Sequence, residues 1–325
     1  ELLLDFLGDD AVVGELTKSR QEAFMRWLAQ QHKHSVATIS RHLSIIAAAL
    51  KRAMEPHEVF ADDGRQVTRR LLIDCPKIHY QSKFIAQVVD KPEPEPRSWQ
   101  PTLEQLGAFI DETRSEALFR YSLLALNTWG RPEAICDIDP SRQVDWRHRL
   151  LNLNPPGRRQ NKKYRPTLPL TDCLAGWLAV WPQEGRLVAN ARTSEPAEPG
   201  MAPGFGYRPV ASVRQAYEKT RARAGVPEMT RYSLRHLMGT QARASRAPRV
   251  PPEQKDLWMG HKRPKSGSSE WYERFDPDFL EDARNFTDAF MVELQKHCKR
   301  SLFAPADRKD YRPLIYQKQN RNDDE

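Results

Sequence analysis

Residues 230–276 read TRYSLRHLMGTQARASRAPRVPPEQKDLWMGHKRPKSGSSEWYERFD, and this stretch decides the fold. Arg235 and His236 follow Tyr232-Ser233-Leu234. Met259-Gly260-His261 places His261 26 residues after Arg235, and Tyr272 follows eleven residues later inside Trp271-Tyr272-Glu273-Arg274-Phe275. These residues sit between hydrophobic helical segments. Brought together, an arginine, a histidine and a tyrosine suit attack on a phosphodiester. The guanidinium forks onto phosphate oxygens, the imidazole handles protons, and a phenol can become a covalent nucleophile. Closing the argument requires a second arginine and a lysine upstream.

The second arginine follows an apolar helix, Leu118 to Leu126, that terminates at Thr128-Trp129-Gly130. Arg131-Pro132-Glu133 opens the next segment. Glycine suits the end of one helix and proline the first turn of another, so Arg131 sits at a rigid helix-to-helix turn. Its alternative there is a surface ion pair with Glu133. The lysine lies in Arg158-Arg159-Gln160-Asn161-Lys162-Lys163-Tyr164-Arg165, the densest basic cluster in the chain. Leu150 to Leu153 alternates as a strand, Asn154-Pro155-Pro156-Gly157 turns, and Leu168-Pro169-Leu170 returns as a second strand. The cluster is thus expected at the tip of a small antiparallel sheet, where so many cations favour a polyanion nearby.

The rest of the chain reads as mainly helical. Leu2, Leu3, Phe6 and Leu7 share a face; Thr17 is a candidate N-cap for a helix carrying Ala23, Phe24, Trp27 and Leu28. Ser35 caps a helix with Ile39, Leu43, Ile46, Ala47 and Leu50 inward and the basic Arg41, Lys51 and Arg52 outward. Residues 56–97 are poorer in helical pattern and end in alternating proline and charge, a semi-rigid spacer. The expected division is a helical DNA-binding domain over 1–90, a linker over 91–97, a catalytic domain over 98–295, and a tail over 296–325 that is mobile or packs on a neighbouring subunit. Thr102 and Gln105 form a capping box, 172–181 is a short amphipathic helix, Thr193 to Gly206 a loop, and Val213 to Ala224 a helix ended by Gly225.

Bulk properties agree with a nucleic-acid partner. The 325 residues carry 51 Lys and Arg against 43 Asp and Glu, a net charge of +8, and a pI near 9.3. Cys75, Cys136, Cys173 and Cys298 have no paired ligand spacing and read as reduced thiols of a cytosolic protein. No apolar run reaches the roughly 18 residues of a membrane span, and no signal peptide opens the chain. The first residue is Glu1 and not methionine, which leaves room for a preceding segment.

In this order, the motifs resemble those of the tyrosine recombinases, the phage-integrase family. Gly130-Arg131 is similar to its first arginine turn. Lys162 or Lys163 before Leu168-Pro169-Leu170 is similar to its hairpin lysine, and Tyr232-Ser233-Leu234-Arg235-His236 to its H-x-L-R-H. Met259-Gly260-His261 is similar to its L-G-H, and Tyr272 to its tyrosine. Three departures stand out. Tyr232 occupies the usual histidine position. The acid after Arg131, Glu133, comes one position early. The interval from His261 to Tyr272 is two residues longer, through the basic Lys262-Arg263-Pro264-Lys265.

The resemblance implies an α+β fold, mainly helical with a small antiparallel sheet, and a site-specific recombinase that integrates or excises a mobile element. Arg131 and Arg235 would clamp the scissile phosphate, Tyr272 would attack it, and Lys162 would protonate the leaving oxygen, with Lys163 less favoured. His261 would orient or deprotonate, Tyr232 would support, and His236 would be structural. DNA-backbone contacts are expected from Arg41, Lys51, Arg158, Arg159, Lys163, Arg165, Lys262 and Arg263. The resemblance implies no metal, ATP or other cofactor. Its partners would be double-stranded DNA bound by a tetramer on paired sites, with accessory DNA-bending proteins, in a bacterial or phage-infected cytoplasm near the nucleoid. Two rivals share the pattern: a DNA-binding relative that does not cut, and a type IB topoisomerase-like enzyme.

Overall fold

The computed structural model describes residues 1–60, 64–95, 99–161, 163–194, 204–261 and 280–315. Lys162, Lys262, Arg263 and Tyr272 therefore lie outside the described residues. The chain divides into two compact units, 1–98 and 99–325, so the division falls one residue inside the segment read as catalytic. Helices and three small antiparallel sheets make the fold α+β.

In the first unit, helices α1 (Leu2–Leu7), α2 (Lys18–Gln30) and α3 (Val36–Ala53) follow the apolar spacing. Thr17 accepts from Arg20 N at 3.3 Å, and Ser35 accepts from Thr38 N at 3.3 Å, so each hydroxyl satisfies an amide the helix leaves unpaired. The core gathers Phe24, Met25, Leu28, Ile39, Leu43 and Ile85. Residues 56–97 hold more order than their pattern predicts. Strands β1 (Pro56–Phe60) and β2 (Gln66–Arg70) form a hairpin with Val59 opposite Val67. Helix α4 (Ser82–Val89) packs on α2 and α3. It has no side-chain cap and only Ile85 and Ala86 buried, a signal too short to stand out. Gln21 ties in the segment before it: its Nε2 donates to Leu16 O and Lys77 O, and its Oε1 accepts from His79 N.

The second unit is built around one helix. After α5 (Leu103–Asp111), capped by the Thr102–Gln105 box, α6 (Glu116–Thr128) is buried along its whole length. Its apolar residues fall on every side and its few polar ones are buried too, so elements surround it. These are α7 (Pro132–Cys136), α9 (Asp172–Val180), β6 (Ala189–Ser194), α11 (Ser233–Ala244) and α13 (Glu281–Gln295). A short α8 (Pro140–Gln143) leads into a sheet of β3 (Val144–Asp145), β4 (Leu150–Asn152) and β5 (Thr167–Pro169), where Leu151 faces Leu168. Residues 193–206, read as a loop, are instead flanked by a paired hairpin, β6 with β7 (Gly204–Pro209). Helices α10 (Arg214–Arg223) and α12 (Pro252–Trp258) complete the unit.

The tail, read as an arm that is mobile or packs on a neighbouring subunit, is described as far as residue 315. Up to residue 315 it lies on its own unit. Leu302 is fully buried, and its carbonyl accepts from Trp177 Nε1 at 2.7 Å. Tyr311 donates to Glu116, Leu314 N donates to Glu116 Oε2 at 2.9 Å, and Ile315 bridges in parallel to Ala191. The cause is an ion pair that would otherwise be stranded: Glu116 and Arg120 are buried inside α6, and the tail supplies donors to the carboxylate. These partners are far apart in sequence, so no local periodicity announces them.

Candidate active site

Four segments converge on one point. The first is the end of α6, where Trp129 adopts a left-handed conformation (φ 51°) and its amide donates to Ala125 O. Left-handed backbone costs a non-glycine residue about 1–2 kcal/mol. Here it is offset by a fully buried indole packed on Trp258 and edge-on to Phe286. The turn presents the Trp129 carbonyl inward and starts α7 with Arg131 as N-cap and Pro132 in the first turn.

The second segment is the first turn of α11, which carries Arg235, 6% exposed. Its Nη1 donates to Trp129 O at 2.5 Å, and its Nη2 donates to Met259 O at 2.7 Å and to His261 Nε2 at 3.0 Å. Three of the five guanidinium N–H groups thus join α11, the α6–α7 turn and the end of α12. The third segment is that end, where Gly260 (φ 63°) turns the chain so that His261 N donates to Asp256 O at 2.8 Å. A Cβ on Gly260 would lie 2.5 Å from Tyr164 O, so only glycine fits this approach. The fourth is the basic hairpin: Arg131 Nη1 donates to Tyr164 O at 3.0 Å. The cleft between them is lined by Gly130, Arg131, Tyr164, Pro166, Arg235 and Met259, among others.

Electrostatically the site is a pair of like charges held together. Burial, then the nearby Arg131, pulls the Arg235 guanidinium down to about 10, and it stays charged at neutral pH. His261 is also held below its ordinary value, by burial first, then by Arg235, with Asp256 acting the other way. An arginine N–H can only donate, so His261 Nε2 accepts and the ring is neutral. Two cations and a neutral imidazole around a cleft form an anion-binding arrangement with a proton acceptor at its edge.

The structure brings together Arg131, Arg235 and His261. Tyr232 stands at the N-terminal end of α11, 39% exposed, close enough to Arg235 to act on its charge, with its ring 6.4 Å from that of the exposed His236. Among the described residues no ion pair joins Arg131 to the exposed Glu133. Arg165 does not face outward as a DNA-backbone contact would. Its side chain is 10% exposed, and Nη1 pairs with Asp137 Oδ2 at 3.0 Å. Arg158 Nη1 donates to Asn154 Oδ1 at 2.6 Å, which closes the turn. Lys163 and Arg159 are exposed on the hairpin, and Arg41 and Lys51 on α3. Asp256 and the Tyr164 carbonyl were not among the expected site residues. A carboxylate five residues before His261 was the one legible hint, because a glycine turn folds such a spacing back on itself. Among the described residues, no group of three His, Cys, Asp or Glu side chains could hold a metal ion, and no helix is long and apolar enough to cross a membrane.

The chain is similar to a phage integrase. The integrase from mycobacterium phage Brujita shares 16% identity, with 92% of this chain and 88% of that one covered at a TM-score of 0.42. A XerA recombinase shares 11% identity, with 92% and 90% covered at a TM-score of 0.33. No family model matches the chain, and no curated protein matches it.

Proposed function

We propose that this chain is a tyrosine-type site-specific DNA recombinase, cutting and rejoining duplex DNA to integrate or excise a mobile element. The observation that carries the reading is the convergence of Arg131, Arg235 and His261 from three separate segments on one cleft. Fixed cations at a transferring phosphoryl group are a large catalytic term, and losing one preorganised donor costs about 10²–10³ in rate. In this reading Arg131 and Arg235 hold the non-bridging oxygens of the scissile phosphate. The Tyr272 hydroxyl attacks phosphorus and passes its proton to His261. The 5′ oxygen leaves with a proton from Lys162, giving a 3′-phosphotyrosyl link and a free 5′-hydroxyl. Attack by the 5′-hydroxyl of a second duplex reverses these steps and regenerates the phenol, so the bond energy is conserved in the covalent link. Strand exchange between two duplexes implies a tetramer on paired sites, aided by DNA-bending proteins and acting where phage or bacterial DNA resides.

A covalent-trapping assay tests the proposal. The chain is incubated with nicked duplex bearing the end sequence of its element and run on a denaturing gel beside Tyr272→Phe. A shifted protein–DNA band that disappears in the variant is the expected result; absence of the band on DNA that the protein binds would overturn it. One observation favours a second reading, a relative that occupies DNA without cutting. Three N–H groups of Arg235 are committed to protein acceptors, as a purely structural arginine's would be. The same gel separates the two, and a two-site recombination assay separates either from a topoisomerase-like enzyme.

A further inference from the structure

We infer that Asp256 is a positioning residue that holds His261 in the tautomer protonated at Nδ1, so that the Nε2 lone pair faces the arginine pair; its catalytic consequence rests on the proposed recombinase reading.

The two ends of the imidazole demand the same tautomer. Nε2 lies 3.0 Å from Arg235 Nη2, a group that only donates, so a hydrogen on Nε2 would set donor against donor. Nδ1 lies 3.8 Å from Asp256 Oδ1, where a lone pair would face a carboxylate and an N–H is attracted to it. That separation is longer than a hydrogen bond, so the interaction is charge on dipole, and such contacts tighten when substrate closes a site. The ring is also anchored to the same residue through the backbone, His261 N to Asp256 O at 2.8 Å, across the Gly260 turn. Among the described residues, the charged groups that face His261 are Arg235 from α11, Arg131 from the α6–α7 turn, and Lys255 and Asp256 from α12. Asp256 is the one anion among them, and it also lies 3.7 Å from Lys255 Nζ. Burial and the three cations oppose protonation of the ring; Asp256 opposes them.

A functional consequence follows. While the cleft is empty of phosphate, the Nε2 lone pair is held by Arg235. A phosphodiester bound by the forked guanidinium competes for that same N–H, and the lone pair is released beside the reacting phosphate. A base released in this way must carry its proton on Nδ1 beforehand, which is the state Asp256 selects.

The test uses the full chain labelled with ¹⁵N. The His261 ring resonances are assigned by their loss in His261→Gln and read in long-range ¹H–¹⁵N spectra of the wild type, Asp256→Asn and Asp256→Glu. The wild type is expected to show a protonated Nδ1 and an unprotonated Nε2. Asp256→Asn is expected to mix the tautomers and move the ring titration to lower pH, and Asp256→Glu to restore both. Thermal unfolding confirms that each variant is folded. In the trapping assay, Asp256→Asn lowers the rate at neutral pH by about tenfold or more, within the about 10²–10⁴ that a positioned acid–base group supplies, with DNA affinity unchanged. An Asp256→Asn spectrum with the wild-type tautomer and titration would overturn the inference, even where trapping succeeds. Spectra that change as expected while the wild type forms no adduct would uphold the Asp256–His261 pair and discard the recombinase reading.

Discussion

The hydrogen bond from Arg235 Nη2 to His261 Nε2, 3.0 Å long, joins two residues 26 positions apart and makes the imidazole nitrogen an acceptor. Protonating His261 would remove the acceptor and place a third cation beside Arg131 and Arg235. In the folded chain His261 titrates below its ordinary value near 6.5, through burial first and Arg235 second. The unfolded chain therefore binds this proton more readily. The stability linked to His261 is complete above about pH 6.5 and is lost as pH falls from there through the folded value. Thermal unfolding of the wild type against pH should show this acid-side decline, and His261→Gln should flatten its part of it.

Arg235 holds the site together before it does any chemistry. Replacing it with lysine keeps a charge but not the planar fork, and leaves the Trp129 or Met259 carbonyl without its donor. We expect Arg235→Lys to lose about 1–3 kcal/mol, the cost of an unsatisfied buried polar group. Urea unfolding measures this. A variant as stable as the wild type would show that the two carbonyl contacts contribute little.

Gly260 lies tight against the hairpin backbone. Gly260→Ala meets the Tyr164 carbonyl at 2.5 Å and Pro166 Cδ at 3.1 Å, in a left-handed backbone that itself costs alanine about 1–2 kcal/mol. The neighbour is backbone and cannot swing away. The hairpin must move, and with it the carbonyl that Arg131 grips. The expected outcome is a chain destabilised by at least that amount, with its trapping rate reduced more than its DNA affinity. Parallel unfolding, binding and trapping curves measure the three effects.

The tail is a structural strap up to residue 315. Glu116→Gln leaves the fully buried Arg120 without its counter-charge and weakens the Tyr311 and Leu314 contacts. Breaking a buried pair from one side costs about 3–5 kcal/mol. Urea unfolding should register a loss of this size. Tyr311→Phe, which keeps the pair and removes one hydroxyl, should lose about 1.5–3 kcal/mol, the contribution of a hydrogen bond to a charged group.

Local chemistry alone was enough for much of this molecule. The Thr17, Ser35 and Thr102 caps, the Leu-rich α6, the Gly130–Arg131–Pro132 turn and the β4–β5 hairpin each depend on neighbours within a few positions, and the sequence carries those rules in full. The members of the candidate site, two arginines, a histidine and a basic hairpin, are likewise legible by type and order. What the tertiary structure decided is which way each faces and what it holds. Arg165 turns inward because Asp137, 28 positions away, offers a carboxylate. Residues 311–315 lie on their own unit where Glu116, nearly 200 positions earlier, accepts from Tyr311 and Leu314 N. Asp256 faces His261 because a left-handed glycine folds the chain back at a place where the Tyr164 carbonyl leaves no room for a side chain. Such pairings are set by long-range packing and by the need to satisfy buried charge, and neither leaves a period in the sequence.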